Sequence, residues 1–276
     1  MIPRANITAW RARAPWPLDE QVEQDLVLSR ALADVFSRPL LQEALAFRGG
    51  TALHKLYFDP PGRYSEDLDP VQVQAGPIGP LLVEARAALD PWLGEPTWRQ
   101  NADSVKLLYR FESTGVPVLR MRVKVEINTR EHFSVDGLQH VPFRVENPWH
   151  NAACQVTTYT PEEILATKMR ALYQRKKGRD LYDLHLGLTT LDVNDRHVVE
   201  CLTKYLERAG MRISRAQFEA NLSDKLRSAG FRNDIQPLLR DGAGYDVDAA
   251  AEVVRQRLIW HLSGEQWRGG GGAISE

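Results

Sequence analysis

Phe47-Arg48-Gly49-Gly50-Thr51-Ala52-Leu53-His54-Lys55, with Arg63-Tyr64-Ser65-Glu66-Asp67-Leu68-Asp69 close behind it, is the stretch that decides the fold. Leu45-Ala46-Phe47 reads as a short buried strand, Gly49-Gly50 as the turn that ends it, and Thr51 to Phe58 as a short helix. Glycines between a strand and a helix let the backbone approach a ligand closely, and the helix N-terminus then offers N–H groups to an anion. Thr51 can add a hydroxyl, and Lys55 follows one helical turn later. Tight turns of this kind also occur with no ligand, so the glycines alone decide nothing. Pro60-Pro61-Gly62 then interrupts the chain, and Asp67 and Asp69 fall two apart on the next strand. That spacing puts both on one face, about 6.5–7 Å apart along the chain. Two such carboxylates repel unless a cation joins them, and hard oxygen donors suit Mg²⁺ or Mn²⁺. The plainer alternative is a solvent-facing acidic run beside a turn. Taken in order, the two elements bring a phosphate cradle and a divalent-metal site within reach of each other, and the chemistry this suggests is nucleotide transfer.

Outward from this core the pattern is mixed. Residues 18 to 46 read as mostly helical, with Ser37-Arg38-Pro39 breaking the run, and residues 78 to 94 as another helix. Val105 to Phe111 and Val118 to Ile127 look like paired strands, and residues 141 to 159 add further strands. In the second of these, Met121, Val123, Val125 and Ile127 share one face, while Arg120, Arg122, Lys124 and Glu126 share the other. Glu126 is thereby a candidate third carboxylate for a metal site, where three acids could serve an in-line displacement. An ordinary sheet-face ion pair with Lys124 or Arg122 is the competing reading. Thr160-Pro161-Glu162-Glu163 signals a helix start, and the chain reads as helical from there almost to its end. The expected architecture is α+β, a mixed-sheet core followed by a helical C-terminal half. It divides into a core with N-terminal helices over 1–160, a helical domain over 161–268 and a disordered tail over 269–276.

The helix after Pro161 carries a second signal. Ile164, Leu165, Lys168 and Leu172 lie on one stripe, which sets a lysine on an apolar face. Such a lysine usually snorkels to water, but beside a phosphate site it could neutralise a triphosphate. Downstream, Arg175-Lys176-Lys177-Gly178-Arg179 precedes Asp180 and Asp183, with Arg170 one turn earlier. Asp180 and Asp183 are neighbours on a helix. Either this is an ion-paired helix start, or one acid positions Lys168 while the basic residues contact a polyanion backbone.

Composition bounds the setting. The chain has 276 residues, an apolar fraction of 43% and a formal charge of −1, so polyanion binding would need a local patch. Two cysteines, Cys154 and Cys201, without a CxxC, speak against a disulfide framework or structural zinc and for a reducing compartment. No apolar run approaches the roughly 20 residues a membrane span needs, and the N-terminus lacks a secretory h-region. A cytoplasmic protein with no membrane association is expected.

Together, Gly49 to Lys55, Ser65 to Asp69, Lys124-Val125-Glu126, and Glu162-Glu163…Lys168…Arg179-Asp180-Leu181-Tyr182-Asp183-Leu184 resemble the AbiEii-like nucleotidyltransferase toxins. That family includes the mycobacterial MenT toxins and lies within the DNA polymerase β-like nucleotidyltransferase superfamily. The resemblance spans about residues 45 to 188. It implies a nucleotidyltransferase core in which Asp67 and Asp69 hold metal, with Glu126 as third acid where Asp is common. It implies that Gly49, Gly50, Thr51, Lys55 and Ser65 shape the nucleotide pocket and that Lys168 with Asp180 or Asp183 completes the catalytic set. Pro70 departs from the family pattern directly after Asp69. The implied activity is Mg²⁺-dependent transfer of NMP from an NTP to RNA, foremost the tRNA 3′ end, by a toxin that blocks translation. A cognate antitoxin, of winged-helix type and encoded nearby, is the implied partner. Transfer to a small molecule or a protein hydroxyl, or a non-catalytic nucleotide-binding module, are the alternatives.

Overall fold

The computed structural model describes residues 2–268, so the expected disordered tail over 269–276 lies outside the described residues. The chain forms two compact units that divide after Thr160: the first also takes in Leu238–Ala243, and the second holds Pro161–Pro237 and the chain from Gly244 on. Among the described residues, no helix is long and apolar enough to cross a membrane.

The first unit is built on one seven-stranded sheet. Its strands are β1 (Leu45–Arg48), β2 (Asp67–Gln72), β3 (Thr97–Gln100), β4 (Ser104–Glu112), β5 (Arg120–Asn128), β6 (Gln139–Asn147) and β7 (His150–Thr158), in the order β3-β4-β5-β2-β1-β7-β6. β2 and β5 run parallel, as do β1 and β7; the remaining neighbours are antiparallel. The mixture fits the connections, because hairpins join β3 to β4, β4 to β5 and β6 to β7, while longer excursions separate the parallel neighbours. Helices α1 (Arg4–Trp10), α2 (Asp19–Phe36), α3 (Pro39–Ala44), α4 (Gly49–Leu56) and α5 (Gly79–Leu93) accompany the sheet. Alternation along the strands sorts the faces: Val105, Leu107 and Tyr109 on β4 and Val123, Val125 and Ile127 on β5 are buried against the helices. Tyr109 anchors this layer by donating its hydroxyl to Asp90 of α5 at 2.8 Å.

Two polar clusters hold the helical layer in place. The Asp25 carboxylate, 2% exposed, accepts from the indoles of Trp10 (2.8 Å) and Trp16 (3.1 Å) and pairs with the Lys55 ammonium at 2.7 Å. A buried charge persists only when paired and hydrogen-bonded, and here three donors from α1, the following loop and α4 converge on α2. Trp92 and Trp149 clasp the Arg30 guanidinium, 4.0 and 4.6 Å from their ring centroids, which accounts for two of the scattered tryptophans as a structural stack.

The second unit is helical: α6 (Pro161–Gln174), α7 (Gly178–Thr190), α8 (Asp195–Arg208), α9 (Arg215–Leu226), α10 (Ala229–Asn233) and α11 (Val247–Arg257). Asn194, Ser214 and Asp246 cap α8, α9 and α11 with side-chain oxygens on first-turn N–H groups. Glycines permit the tightest packing. A Cβ on Gly187 of α7 would lie 2.6 Å from a Leu165 methyl of α6, and one on Gly178 would lie 2.1 Å from the Phe231 carbonyl oxygen of α10.

Sequence and structure differ in a few boundaries. Gly49 and Gly50 belong to α4 itself, which ends at Leu56 rather than Phe58. α1 and the fully exposed edge strand β3 carry too weak a pattern to be read from the sequence. Pro70 lies inside β2, opposite Phe47. The pairing of β2 with β5 runs Asp67↔Lys124 and Leu68↔Val125, lapses across Asp69–Pro70, and resumes at Val71↔Asn128. Proline has no N–H to donate, which is the physical reason for a gap in the ladder there.

Candidate active site

In the first unit the sheet face opposite α2 gathers the predicted residues of the core. Asp67 and Asp69 project from it on β2, and the constant register with β5 sets Asp67 beside Lys124 and Asp69 level with Glu126. The Lys124 ammonium bridges Asp67 (3.2 Å) and Glu126 (3.0 Å), and Lys106 on β4 pairs with Glu126 at 2.9 Å. Ser104 also donates to Glu126, at 3.0 Å. Lys106 and Ser104 were not read as site residues; the Lys106↔Glu126 pairing that brings Lys106 in depends on the β4–β5 register, which only the fold supplies.

These contacts tune both partners. Burial alone would push the Glu126 carboxyl up, but Lys106, Lys124 and Ser104 outweigh it and hold it below the usual glutamate value. Burial likewise pulls the Lys124 ammonium down, yet Asp67, Glu126 and Asp69 together raise it above an ordinary lysine. Lys124 is therefore a fixed internal cation among three carboxylates.

The glycine turn closes on the same place. Gly49 has φ +87°, a backbone conformation that L side chains rarely adopt, and a Cβ built on it would lie 3.4 Å from Asp69 Oδ2. Glycine is favoured there by its backbone conformation, while a Cβ would only reach ordinary contact with the acid. Gly50 and Thr51 follow, buried in the first turn of α4, and the Thr51 and Ser65 hydroxyls share a hydrogen bond at 2.5 Å. Ser65 sits in the loop just before β2. Arg48, the residue before the helix, pairs with Glu131 at 2.5 Å and stands opposite Asp69 across β1–β2. Lys55 points elsewhere: its ammonium is held by Asp25 and Ser29, away from the acidic pair's own contacts.

The remaining predicted residues form a cluster of their own in the second unit. Lys168 on α6, 5% exposed, pairs with Asp183 of α7 at 2.7 Å and lies 3.5 Å from Asp180. Asp180 accepts two hydrogen bonds from the Arg175 guanidinium, both at 2.7 Å. Both acids are fully buried, so the network locks α6 to α7. Three more of these basic residues are engaged nearby: Lys177 faces Asp234 at 3.5 Å, Lys176 faces Asp224 at 4.0 Å, and Arg170 lies 5.1 Å from the Tyr205 ring centroid.

The donor chemistry of Asp67 and Asp69 fits a hard divalent cation: two carboxylates on one face, Asp67 with 40% of its side chain exposed, beside a glycine that leaves room at Asp69. Glu126 is placed to join them, with both of its oxygens engaged by lysines.

The family described as "Nucleotidyl transferase AbiEii toxin, Type IV TA system" matches residues 30–253. MenT4, a nucleotidyltransferase toxin from Mycobacterium tuberculosis, is similar in structure with a TM-score of 0.68 at 19% identity, covering 95% of this chain and 91% of that one. JHP933 from Helicobacter pylori is similar with a TM-score of 0.53 at 17% identity, covering 88% of this chain and 93% of its own. Among curated proteins none matches the chain significantly by sequence. With the glycine turn, the paired aspartates and the surrounding mixed sheet in place, the match over residues 30–253 shows that this chain belongs to the AbiEii nucleotidyl transferase toxin family of type IV toxin–antitoxin systems.

Proposed function

We propose that the chain is a Mg²⁺-dependent nucleotidyltransferase that moves NMP from an NTP to the 3′ end of an RNA, foremost a tRNA, and so blocks translation. The observation that carries this reading is the placement of Gly49, at the start of α4, beside Asp69, which sets a helix N-terminus next to the acidic pair. In this reading Asp67 and Asp69 hold Mg²⁺, with Glu126 as third acid. Bound there, the cation would supply Lewis-acid stabilisation of the transferring phosphate and help ionise the attacking hydroxyl.

The chain's own residues supply the positioning. The N-terminus of α4 at Gly49 and Gly50 presents backbone N–H groups to the triphosphate, and the paired hydroxyls of Thr51 and Ser65 fix the wall of that pocket. Lys124 aligns the Asp67 and Glu126 carboxylates by bridging them. Lys55 serves the pocket indirectly, by tying α4 to Asp25. Lys168, Asp180 and Asp183 enter the catalytic set through the family resemblance, and within their own unit they close a buried ion network. The antitoxin that the family implies is proposed to be a winged-helix protein, and the site of action the cytoplasm.

Chemical blocking of the acceptor tests the reaction. Periodate oxidation destroys the 3′-terminal diol of tRNA, and oxidised tRNA is expected to take up no nucleotide while untreated tRNA does. Equal labelling of the two would exclude the 3′ end as acceptor.

A further inference from the structure

The same sheet face continues beyond the acids, and its character changes. On β3, β4 and β5 it carries Arg99, Lys106, Arg110, Arg120, Arg122 and Lys124 against two acids, Glu112 and Glu126. Two like-charge pairs lie directly opposite across the ladder, Arg110↔Arg122 and Arg99↔Lys106. Opposed like charges destabilise a sheet, and a face that keeps two such pairs side by side is under electrostatic load. The arginines are not neutralised from elsewhere. Among the described residues the side chains of Arg99, Arg120 and Arg122 make no hydrogen bond or ion pair, and Arg110 donates only to the Thr97 hydroxyl, at 3.0 Å. Arg99, Arg110, Arg120 and Arg122 are all exposed. By contrast, Arg175 in the basic run of the second unit is spent on buried Asp180.

We propose that this open face of β3–β4–β5 is the track along which the acceptor RNA lies, its phosphates on Arg99, Arg110, Arg120 and Arg122 and its 3′ end running toward Asp67 and Asp69. The proposal rests on the transfer reading above and adds where the acceptor binds. Charge complementarity commits the occupant to a polyanion. From β3 to β2 the track crosses three strand spacings of about 4.8 Å, roughly 14 Å in all, which suits the last few nucleotides of a single-stranded end. The exposed side chains on this face include no aromatic ring, since Trp98 shares the parity of buried Leu107. Recognition along it is therefore by phosphate rather than by stacked base, and is tolerant of sequence.

Binding measured apart from catalysis tests this. Fluorescence anisotropy of a labelled tRNA against the full chain, across a salt series, would compare the wild type with Arg110→Gln/Arg122→Gln. Arg4→Gln/Arg38→Gln, in α1 and just before α3, serves as a matched loss of two charges. The double variant is expected to bind about tenfold more weakly and to lose about 1.4 from its log–log salt slope, about 0.7 for each phosphate contact removed. Its thermal midpoint should hold or rise, because a like-charge pair has gone, and this separates a binding role from a structural one. RNA affinity and salt slope equal to wild type would overturn the track and leave the face to an acidic protein. Weakened binding by the double variant, beside a wild type that binds RNA but transfers no nucleotide, would uphold the track while removing the transfer reading. A wild type with no RNA affinity would remove both.

Discussion

At the scale of single residues, Lys168 is where two accounts of the chain part. Its position on an apolar helical stripe was legible in the sequence, as were Asp180 and Asp183 as neighbours on the next helix. Their closure into one buried network was not, because it depends on the packing of α6 on α7, which the close approach at Gly187 permits. Removing one partner of a buried ion pair leaves an uncompensated charge and typically costs about 3–5 kcal/mol. Arg175 still neutralises Asp180, so the loss falls chiefly on Asp183. Lys168→Met is therefore expected to lower the urea-unfolding free energy by about 3 kcal/mol. A variant within about 0.5 kcal/mol of wild type, the range of an ordinary surface substitution, would show that the network is not what holds these helices. Asp67, Asp69 and the glycine turn were legible because each is local. The two lysines on Glu126 were only half so: Lys124 lies two residues away, while Lys106 arrives from a neighbouring strand.

At the scale of elements, the strongest periodic segments appeared where the sequence set them. α2, α5, the β4–β5 hairpin and α6 all carry clear alternation or helical spacing. What escaped was short or exposed: α1 and β3 have too few apolar positions to register a period. The C-terminal end of α6 shows how an element is finished by a distant side chain. Lys225 of α9 donates to the carbonyls of Leu172 and Tyr173, groups that the helix itself leaves unpaired. Burial pulls this ammonium down to about 8, against about 10.4 in an unfolded chain. Between those values the unfolded state binds more protons, so stability rises with pH. Wild-type stability relative to Lys225→Met should accordingly climb as pH goes from 7 to 10, read from urea denaturation at each pH. A difference that stays flat over that range would contradict the assignment.

At the scale of the whole molecule, the formal charge of −1 gave no hint of a nucleic-acid partner. That sum hides an uneven distribution, with six cations against two acids on the open face of β3–β5 and two further acids beside them on β2. Fold class followed from the order of local patterns together with the resemblance. The strand order did not follow, since β2 lies between β1 and β5 through pairings no local pattern encodes. The central claim is that Asp67 and Asp69 form the centre of an RNA nucleotidyltransferase. It is tested most directly by incubating purified protein with total tRNA, Mg²⁺ and each α-labelled NTP in turn, beside folded Asp67→Ala and Asp69→Ala variants. Label on tRNA with the wild type, lost in both variants, is the predicted result, and it names the preferred nucleotide at once. Undiminished labelling by either variant, or label on protein or a small molecule in place of RNA, would contradict the account.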